Sequence, residues 1–264
     1  MEISVNMLEG RNGMGISAIR NVTGYGQIAS GRRINRAADD AAGLSIVNKL
    51  RANANGTNVA TQNVRAGINV TNIADGGYNS IMERLHSIRE LSIRAMNGTN
   101  SSSDLEAIQG EINQHLQGIN EASRTTVYNE QKLLDGSMAT MEIASNPTGK
   151  GSSIKLYSAT LENLGLDGYD VTNPDFDLEA IDKAIAKVSK DRSSLGASAN
   201  GLAARERANN IAYENMTASM SRIEDLDMAK AISNLRKDET LQKVSIAMLN
   251  KKKEQEKNIL GLFG

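Results

Sequence analysis

Apolar side chains recur every seven residues along much of this chain. Starting at Ile181, the steps land on Val188, Leu195, Leu202, Asn209, Met216 and Ile223, and only Asn209 is polar. A repeat sustained this long marks a helix-packing seam. Its companion, Ile185, Arg192, Ala199, Glu206, Tyr213 and Met220, is weaker. A helix in a small bundle is therefore expected rather than a free-standing two-stranded coiled coil. The N-terminal half carries a matching seam in Ala60, Gly67, Ala74, Ile81, Ile88 and Ala95, with Val64, Thr71, Tyr78, Leu85 and Ser92 beside it. Small residues in its first part allow neighbouring backbones to come close.

The breaks between these periods order the chain. "NGTNSSSD", residues 97–104, ends the first helix with turn chemistry. Asp104 or Ser103 can cap the next, where Leu105, Ile108, Ile112, Leu116 and Ile119 share a face. "MEIASNPTGKGSSIKLYSA" reads as two short strands around a Pro/Gly turn, and "LGLDGYDVTNPDF" as loop. The order is helix, helix, small β insert, helix, helix, with the two ends returning alongside each other. A helix over 40–97 would be roughly 87 Å long. The expected fold is mainly α: an elongated antiparallel helical bundle or coiled-coil rod with a small β-hairpin insert and paired terminal helices. Five segments follow: 1–39, an N-terminal segment and linker; 40–134, the N-terminal helices; 135–178, the insert; 179–228, a C-terminal helix; and 229–264, a terminal helix.

Composition supports this picture. Aromatic residues make up 3% of the 264 residues and Trp is absent, which argues against a large core anchored by rings. Only Pro147 and Pro174 occur, both in the middle, so long helices on either side meet no proline. There is no cysteine, which removes disulfides, thiol nucleophiles and thiolate metal sites. The net charge of −1 points to neither nucleic acid nor an anionic membrane. No run approaches the ~18 apolar residues of a membrane span. The opening "MEISVNMLEGRNGMGISAIRN" lacks the pattern of a Sec signal peptide, so an exported chain of this sequence needs another route.

Three stretches then carry a resemblance. "SGRRINRAADDAAGLSI", residues 30–46, resembles the N-terminal signature of bacterial flagellins. "LHSIRELSIRAMNGTNSSSDLEAIQGEINQ" is similar to their first-to-second helix junction. "SRIEDLDMAKAISNL" and the closing "ILGLFG" resemble their C-terminal motif and apolar tail. The resemblance implies a structural subunit of the flagellar filament, without the large outer domains that longer members carry. It implies an extracellular polymer of identical copies, exported through the flagellum's own type III channel. Partners implied are an export chaperone and the filament cap and hook-junction proteins. The alternative reading is a hook–filament junction protein or a helical interaction protein that does not polymerise. Residues 1–29 depart from the family pattern, with Gly10, Gly13, Gly15, Gly24 and Gly26 scattered through them. An isolated glycine costs a helix about 1 kcal/mol, so this segment is expected to be helical only when packed. Both chain ends are expected to be disordered in the monomer and to fold on polymerisation.

Candidate sites divide accordingly. Asp39–Asp40 as a metal or catalytic pair lacks a third carboxylate, His or glycine loop nearby. Arg32, Arg33 and Arg36 as a nucleic-acid patch lack aromatics and overall basic charge. The plainer reading is a helix start, where Asp39 and Asp40 complement the N-terminal dipole. The resemblance adds a subunit-interface role to Arg32, Arg33, Arg36, Asp39 and Asp40, and to Arg222, Glu224 and Asp225 in the C-terminal motif. His86 and His115 match no zinc spacing and are expected on exposed helix faces. No enzyme activity, cofactor or metal is expected. "NKKKEQEK" reads as a solvated helix face, the Asn-X-Ser/Thr triplets as chance, and the eleven methionines as seam filling. Apolar spacing at Leu241, Val244, Met248 and Leu260 suggests where a chaperone would bind. The family also implies recognition by a vertebrate toll-like receptor through an arginine, a leucine and a glutamate. Leu91 and Glu111 match the last two, and Ser87 stands at the arginine position, so weakened recognition is expected.

Overall fold

The structure is a computed structural model describing residues 23–173 and 175–260. The helices are α1 (described over residues 23–30), α2 (Ala41–Ala95), α3 (Ser102–Thr125), α4 (Leu161–Leu164), α5 (Leu178–Glu224) and α6 (Met228–Leu260). Between α3 and α4 lie β1 (Val127–Tyr128), β2 (Gln131–Lys132), β3 (Thr140–Ile143) and β4 (Ser152–Lys155). The chain divides into two compact units, Asn53–Glu214 and Met1–Ala52 with Asn215–Gly264. These boundaries fall inside α2 and α5 rather than at the helix ends that the five-segment division followed.

In the Asn53–Glu214 unit the predicted seams are the core. Every seam residue of α2 from Ala60 to Ala95 is buried. Ile181, Val188, Leu195 and Leu202 of α5 are at most 2% exposed. Gly67 permits the close approach its seam position suggested: a Cβ there would stand 3.1 Å from Ile143 and 3.2 Å from Leu202. Three ion pairs cross from α2 to α5: Arg65–Glu206 at 2.6 Å, Asp75–Arg192 at 2.8 Å and Arg89–Asp182 at 2.7 Å. As numbers rise on α2 they fall on α5, so the helices are antiparallel. Exposed pairs of this kind contribute about 0–1 kcal/mol each. Together they fix register more than stability.

The polar interruption of the α5 seam has a cause. Asn209 is buried, and its Nδ2 donates to the Ser145 carbonyl at 3.1 Å, tying the end of β3 to α5. Strands β3 and β4 pair antiparallel, Thr140 with Lys155 through Ile143 with Ser152, as the Pro/Gly turn predicted. Strands β1 and β2 form a second hairpin that the sequence did not announce. Its turn residues Asn129 and Glu130 both have positive φ, the geometry of a tight two-residue connection without the usual glycine.

The start of α3 also differs from expectation. Ser101 is the cap, not Ser103 or Asp104. The Asp104 amide donates to Ser101 Oγ, and the Asp104 carboxylate accepts from the Ser101 amide at 2.9 Å. This reciprocal box needs the acid three residues inside the helix. In α6 the helix is continuous from Met228 to Leu260, where disorder in the monomer was expected. The segment contains neither glycine nor proline and is rich in Ala, Leu, Lys and Glu, so local propensity favours helix. Of the N-terminal segment 1–29 that the other terminal expectation concerns, residues 23–29 lie in α1, and residues 1–22, like 261–264, lie outside the described residues.

Asp191 is the one charged residue in the buried face of α5 in this unit, only 6% exposed and in no ion pair among the described residues. Burial raises its carboxyl above the usual range, partly offset by Lys187 and Lys190. A folded-state value above the unfolded one means that ionisation costs stability. The cost is complete above the folded value and vanishes once pH falls below the unfolded one. Asp191→Asn should therefore raise the melting temperature at pH 7, by about 2–4 °C if relief amounts to ~1 kcal/mol. The gain should fade as pH drops through the carboxylate range. Thermal melts across pH test this; equal gain at pH 3 and pH 7 would rule out the charge as its source.

Candidate functional site

The opening stretch and the C-terminal motif "SRIEDLDMAKAISNL" meet in the terminal unit. The break between α1 and α2 lies against the break between α5 and α6. Arg33 N donates to the Glu224 carbonyl at 2.7 Å, and Leu226 N to the Gly31 carbonyl at 3.0 Å. Arg32 and Asp225 sit opposite each other as an isolated antiparallel bridge. Two helix interruptions thus satisfy each other's backbone groups, which unpaired would each carry a desolvation cost.

Side chains reinforce this zipper. Glu224 is 7% exposed, and its two carboxylate oxygens face different arginines: Oε1 meets Arg32 at 3.1 Å and Oε2 meets Arg51 at 2.6 Å. Arg33 donates through Nη2 to the Ile223 carbonyl at 2.6 Å and stands 3.7 Å from Asp40. Asp40 caps α2, accepting from the Gly43 amide at 2.8 Å. Gly43 leaves room for both neighbours: a Cβ would fall 2.4 Å from Asp40 Oδ2 and 2.8 Å from buried Ile34, so a larger residue would displace the capping carboxylate or Ile34. The two aspartates therefore have separate tasks. Asp39 does not serve α2; its carboxylate accepts from the Asn35 and Arg36 amides, both at 2.9 Å, and closes the preceding turn. Those backbone hydrogen bonds hold the Asp39 carboxyl below the usual carboxylate range.

Arg32, Arg33, Asp39, Asp40 and Glu224 are thus bound within one chain, and Asp225 accepts from Ser221 Oγ. Arg36 and Arg222 are exposed and in no ion pair among the described residues; Arg222 Nε donates to the Ala218 carbonyl at 3.3 Å. A groove of about 790 Å³ lies beside this junction, lined by Gly24, Gln27, Arg33, Arg222, Lys230 and Leu235 among others. Tyr25 of α1 donates to the Glu239 carboxylate of α6, which raises the tyrosine above its ordinary value.

The remaining predicted residues are scattered. Leu241, Val244 and Met248 are 53%, 50% and 66% exposed on α6. The Leu260 side chain lies outside the described residues. Glu111 is exposed and Ser87 half-buried, its hydroxyl donating to the Glu83 carbonyl at 3.2 Å. Leu91 is 5% exposed in the core, because it follows the α2 seam, so it presents little to a partner. His86 is exposed and His115 half-buried. Among the described residues no cluster of His, Asp and Glu is placed to hold a metal ion, and no helix is long and apolar enough to cross a membrane. Sequence reasoning missed Arg51, which no motif singled out.

Antiparallel seams, a zipped junction and a terminal helix with exposed apolar side chains define a helical structural protein. Comparison with known proteins places it further. The family description "Bacterial flagellin N-terminal helical region" matches residues 15–139, and "Bacterial flagellin C-terminal helical region" matches residues 178–263. A flagellin from Halalkalibacterium halodurans is 34% identical over 95% of this chain and 94% of its own length. A flagellin from Bacillus subtilis is 33% identical over 90% of each chain. A crystal structure of Bacillus cereus flagellin shares the fold at a TM-score of 0.51 and 22% identity, covering 56% of this chain and 88% of that one. A putative flagellar hook-associated protein from Vibrio parahaemolyticus shares it at 0.59 and 15%, covering 71% and 100%. The chain belongs to the bacterial flagellin family and is a structural subunit of the extracellular flagellar filament, serving motility.

Glu224→Gln should loosen the junction selectively. Both arginines are partly exposed, so the expected loss is ~1 kcal/mol or somewhat more, above a surface pair and below a fully buried one. Hydrogen exchange at the Arg33 and Leu226 amides should accelerate while the Asn53–Glu214 core keeps its protection. Unchanged exchange at those two amides would show that the backbone zipper needs no help from the carboxylate.

Proposed function

We propose that copies of this chain assemble through α6 and the exposed side of the junction, a structural role without catalysis. The observation that carries this is the apolar surface of α6. Met228, Ile232, Leu241, Val244, Ile246 and Met248 are each 39–66% exposed. Fully burying an exposed side chain of this kind contributes about 1.5–3 kcal/mol, and completing the burial of these half-exposed ones gives a share of that each, so six of them on one helix favour a partner. Arg222, which lines the groove, and the exposed Arg36 offer charge outside any ion pair among the described residues to orient the neighbour, and Arg32, Arg33, Asp39, Asp40, Glu224 and Asp225 hold that surface in shape. Contacts between unlike faces then propagate as an open helix.

Before assembly the same α6 surface suits a chaperone, with Leu241, Val244 and Met248 as its contacts and Leu260 beyond them. Export runs through the flagellum's own channel, and the cap and hook-junction proteins meet the polymer at its ends. Receptor recognition by a vertebrate toll-like receptor would rest on Glu111 and the surface around Ser87, with Leu91 supporting them from below. A Ser87→Arg chain that binds receptor no better than the wild type would remove Ser87 from that surface.

Deleting residues 235–264 should leave the Asn53–Glu214 unit folded and the protein soluble, yet yield no filaments in seeded electron-microscopy assays. Normal filaments from this truncation would overturn the assembly role of α6. Replacing Leu241 and Val244 with Ser should weaken a measured chaperone complex by roughly tenfold or more, since every 1.4 kcal/mol is a factor of ten.

A further inference from the structure

Asn–Gly steps occur at Asn12, Asn55, Asn97 and Asn200. Asn12 lies outside the described residues. Asn55 and Asn200 are inside α2 and α5, whereas Asn97 sits in the turn after α2 ends at Ala95. The backbone nitrogen after an asparagine can attack the side-chain carbonyl carbon. This requires the nitrogen to be free of hydrogen bonding, close to Cγ, and faced by a polarised carbonyl. A helix prevents all three by binding the N–H to the carbonyl four residues back and holding the chain in helical geometry.

The turn at Asn97 lifts these helical constraints, leaving the nitrogen free and the side-chain carbonyl polarised. Asn97 Oδ1 accepts from the Thr99 amide at 3.3 Å, which folds the side chain back over the Gly98 peptide. That same donor points at the oxygen on which negative charge develops during attack. The Gly98 N–H has no partner among the described residues, and both Asn97 and Gly98 are exposed. A Cβ built at Gly98 would meet nothing within 4 Å, and the exposed residue stands open to water and base.

We propose that Asn97 is a self-modifying site that deamidates through a succinimide formed with Gly98. The Gly98 N–Cγ bond forms, the Cγ–Nδ2 bond breaks, and Nδ2 leaves as ammonia with the proton lost from the Gly98 nitrogen. Water then opens the ring. Attack at Cγ gives aspartate; attack at the backbone carbonyl carbon gives isoaspartate, whose main chain is one carbon longer. Either product puts a carboxylate just past the negative end of the α2 dipole. Isoaspartate also displaces the Asn97 carbonyl that accepts from the Asn100 amide at 3.1 Å, and with it Asn100, whose Nδ2 donates to the Arg94 carbonyl at 2.7 Å. The change accumulates with time, so it records the age of a subunit. It rests on the turn geometry and not on the assembly reading.

The test ages the purified full-length chain at mildly alkaline pH beside an unstructured Asn–Gly reference peptide. Peptide mapping by mass spectrometry and enzymatic isoaspartate labelling follow each site. Asn97 should convert on the order of 10²-fold faster than Asn55 and Asn200, with a rate that rises with hydroxide. Gly98→Ala, which the open space accommodates, should slow it sharply. An intact Asn97 when the reference peptide has converted would overturn the proposal, as would equal rates at the three asparagines of the folded chain.

Discussion

A long helix in water must hide one stripe of its surface, and the arrangement of this chain follows from where each stripe is hidden. Isolated helices gain little from propensity alone. The α2 seam from Ala60 to Ala95 finds its cover in α5, α3 and the strands, all within the Asn53–Glu214 unit. Its first part is small, which lets β3 approach at Gly67, and its second part is bulky around Tyr78, Leu85 and Ile88. Register is then fixed by polar groups at the edges of the seam. Arg65, Asp75 and Arg89 each have one partner on α5, and a shift by one turn would break all three pairs at once.

The stripe on α6 is not hidden in the same way. Its charged residues are many, yet six large apolar side chains stand largely exposed among them. Local propensity favours this helix, yet the apolar surface it shows is left uncovered within the chain, which is the observation behind the proposed assembly through α6. The junction beside it explains how such a surface can be presented in a defined orientation. Both flanking chain breaks are closed by paired backbone groups, and Glu224 holds arginines from two separate elements. Orientation is thereby set by hydrogen bonds within the chain.

Most of the helical architecture was legible in the sequence because burial and heptad spacing are the same fact seen twice. Ile181 to Leu202 and Ala60 to Ala95 were readable without coordinates, as was the β3–β4 hairpin from its Pro/Gly turn. What escaped detection depended on single hydrogen bonds or on partners distant in sequence. The β1–β2 turn uses Asn129–Glu130, a pair without turn-type composition. Ser101 caps α3 ahead of equally suitable neighbours, because only it stands three residues before Asp104. Arg51 joins Glu224 across 173 positions, and no local pattern signals such a meeting.

The opening stretch shows the limit most clearly. Three arginines and two aspartates in one motif invite a single explanation, whether phosphate grip, metal pair or subunit contact. In the fold they divide among four local tasks: Asp40 caps a helix, Asp39 closes a turn, Arg33 binds a carbonyl and Arg32 neutralises a buried carboxylate. Only Arg36 keeps its charge free of such a task. A motif dense in charge therefore need not be a binding surface throughout; most of its charge is consumed in building the corner from which the remainder can act. Gly43 belongs to the same corner: a Cβ there would fall 2.8 Å from Ile34, which is buried beneath the cap, so the absence of a side chain at this position lets Ile34 and the Asp40 carboxylate sit where they do.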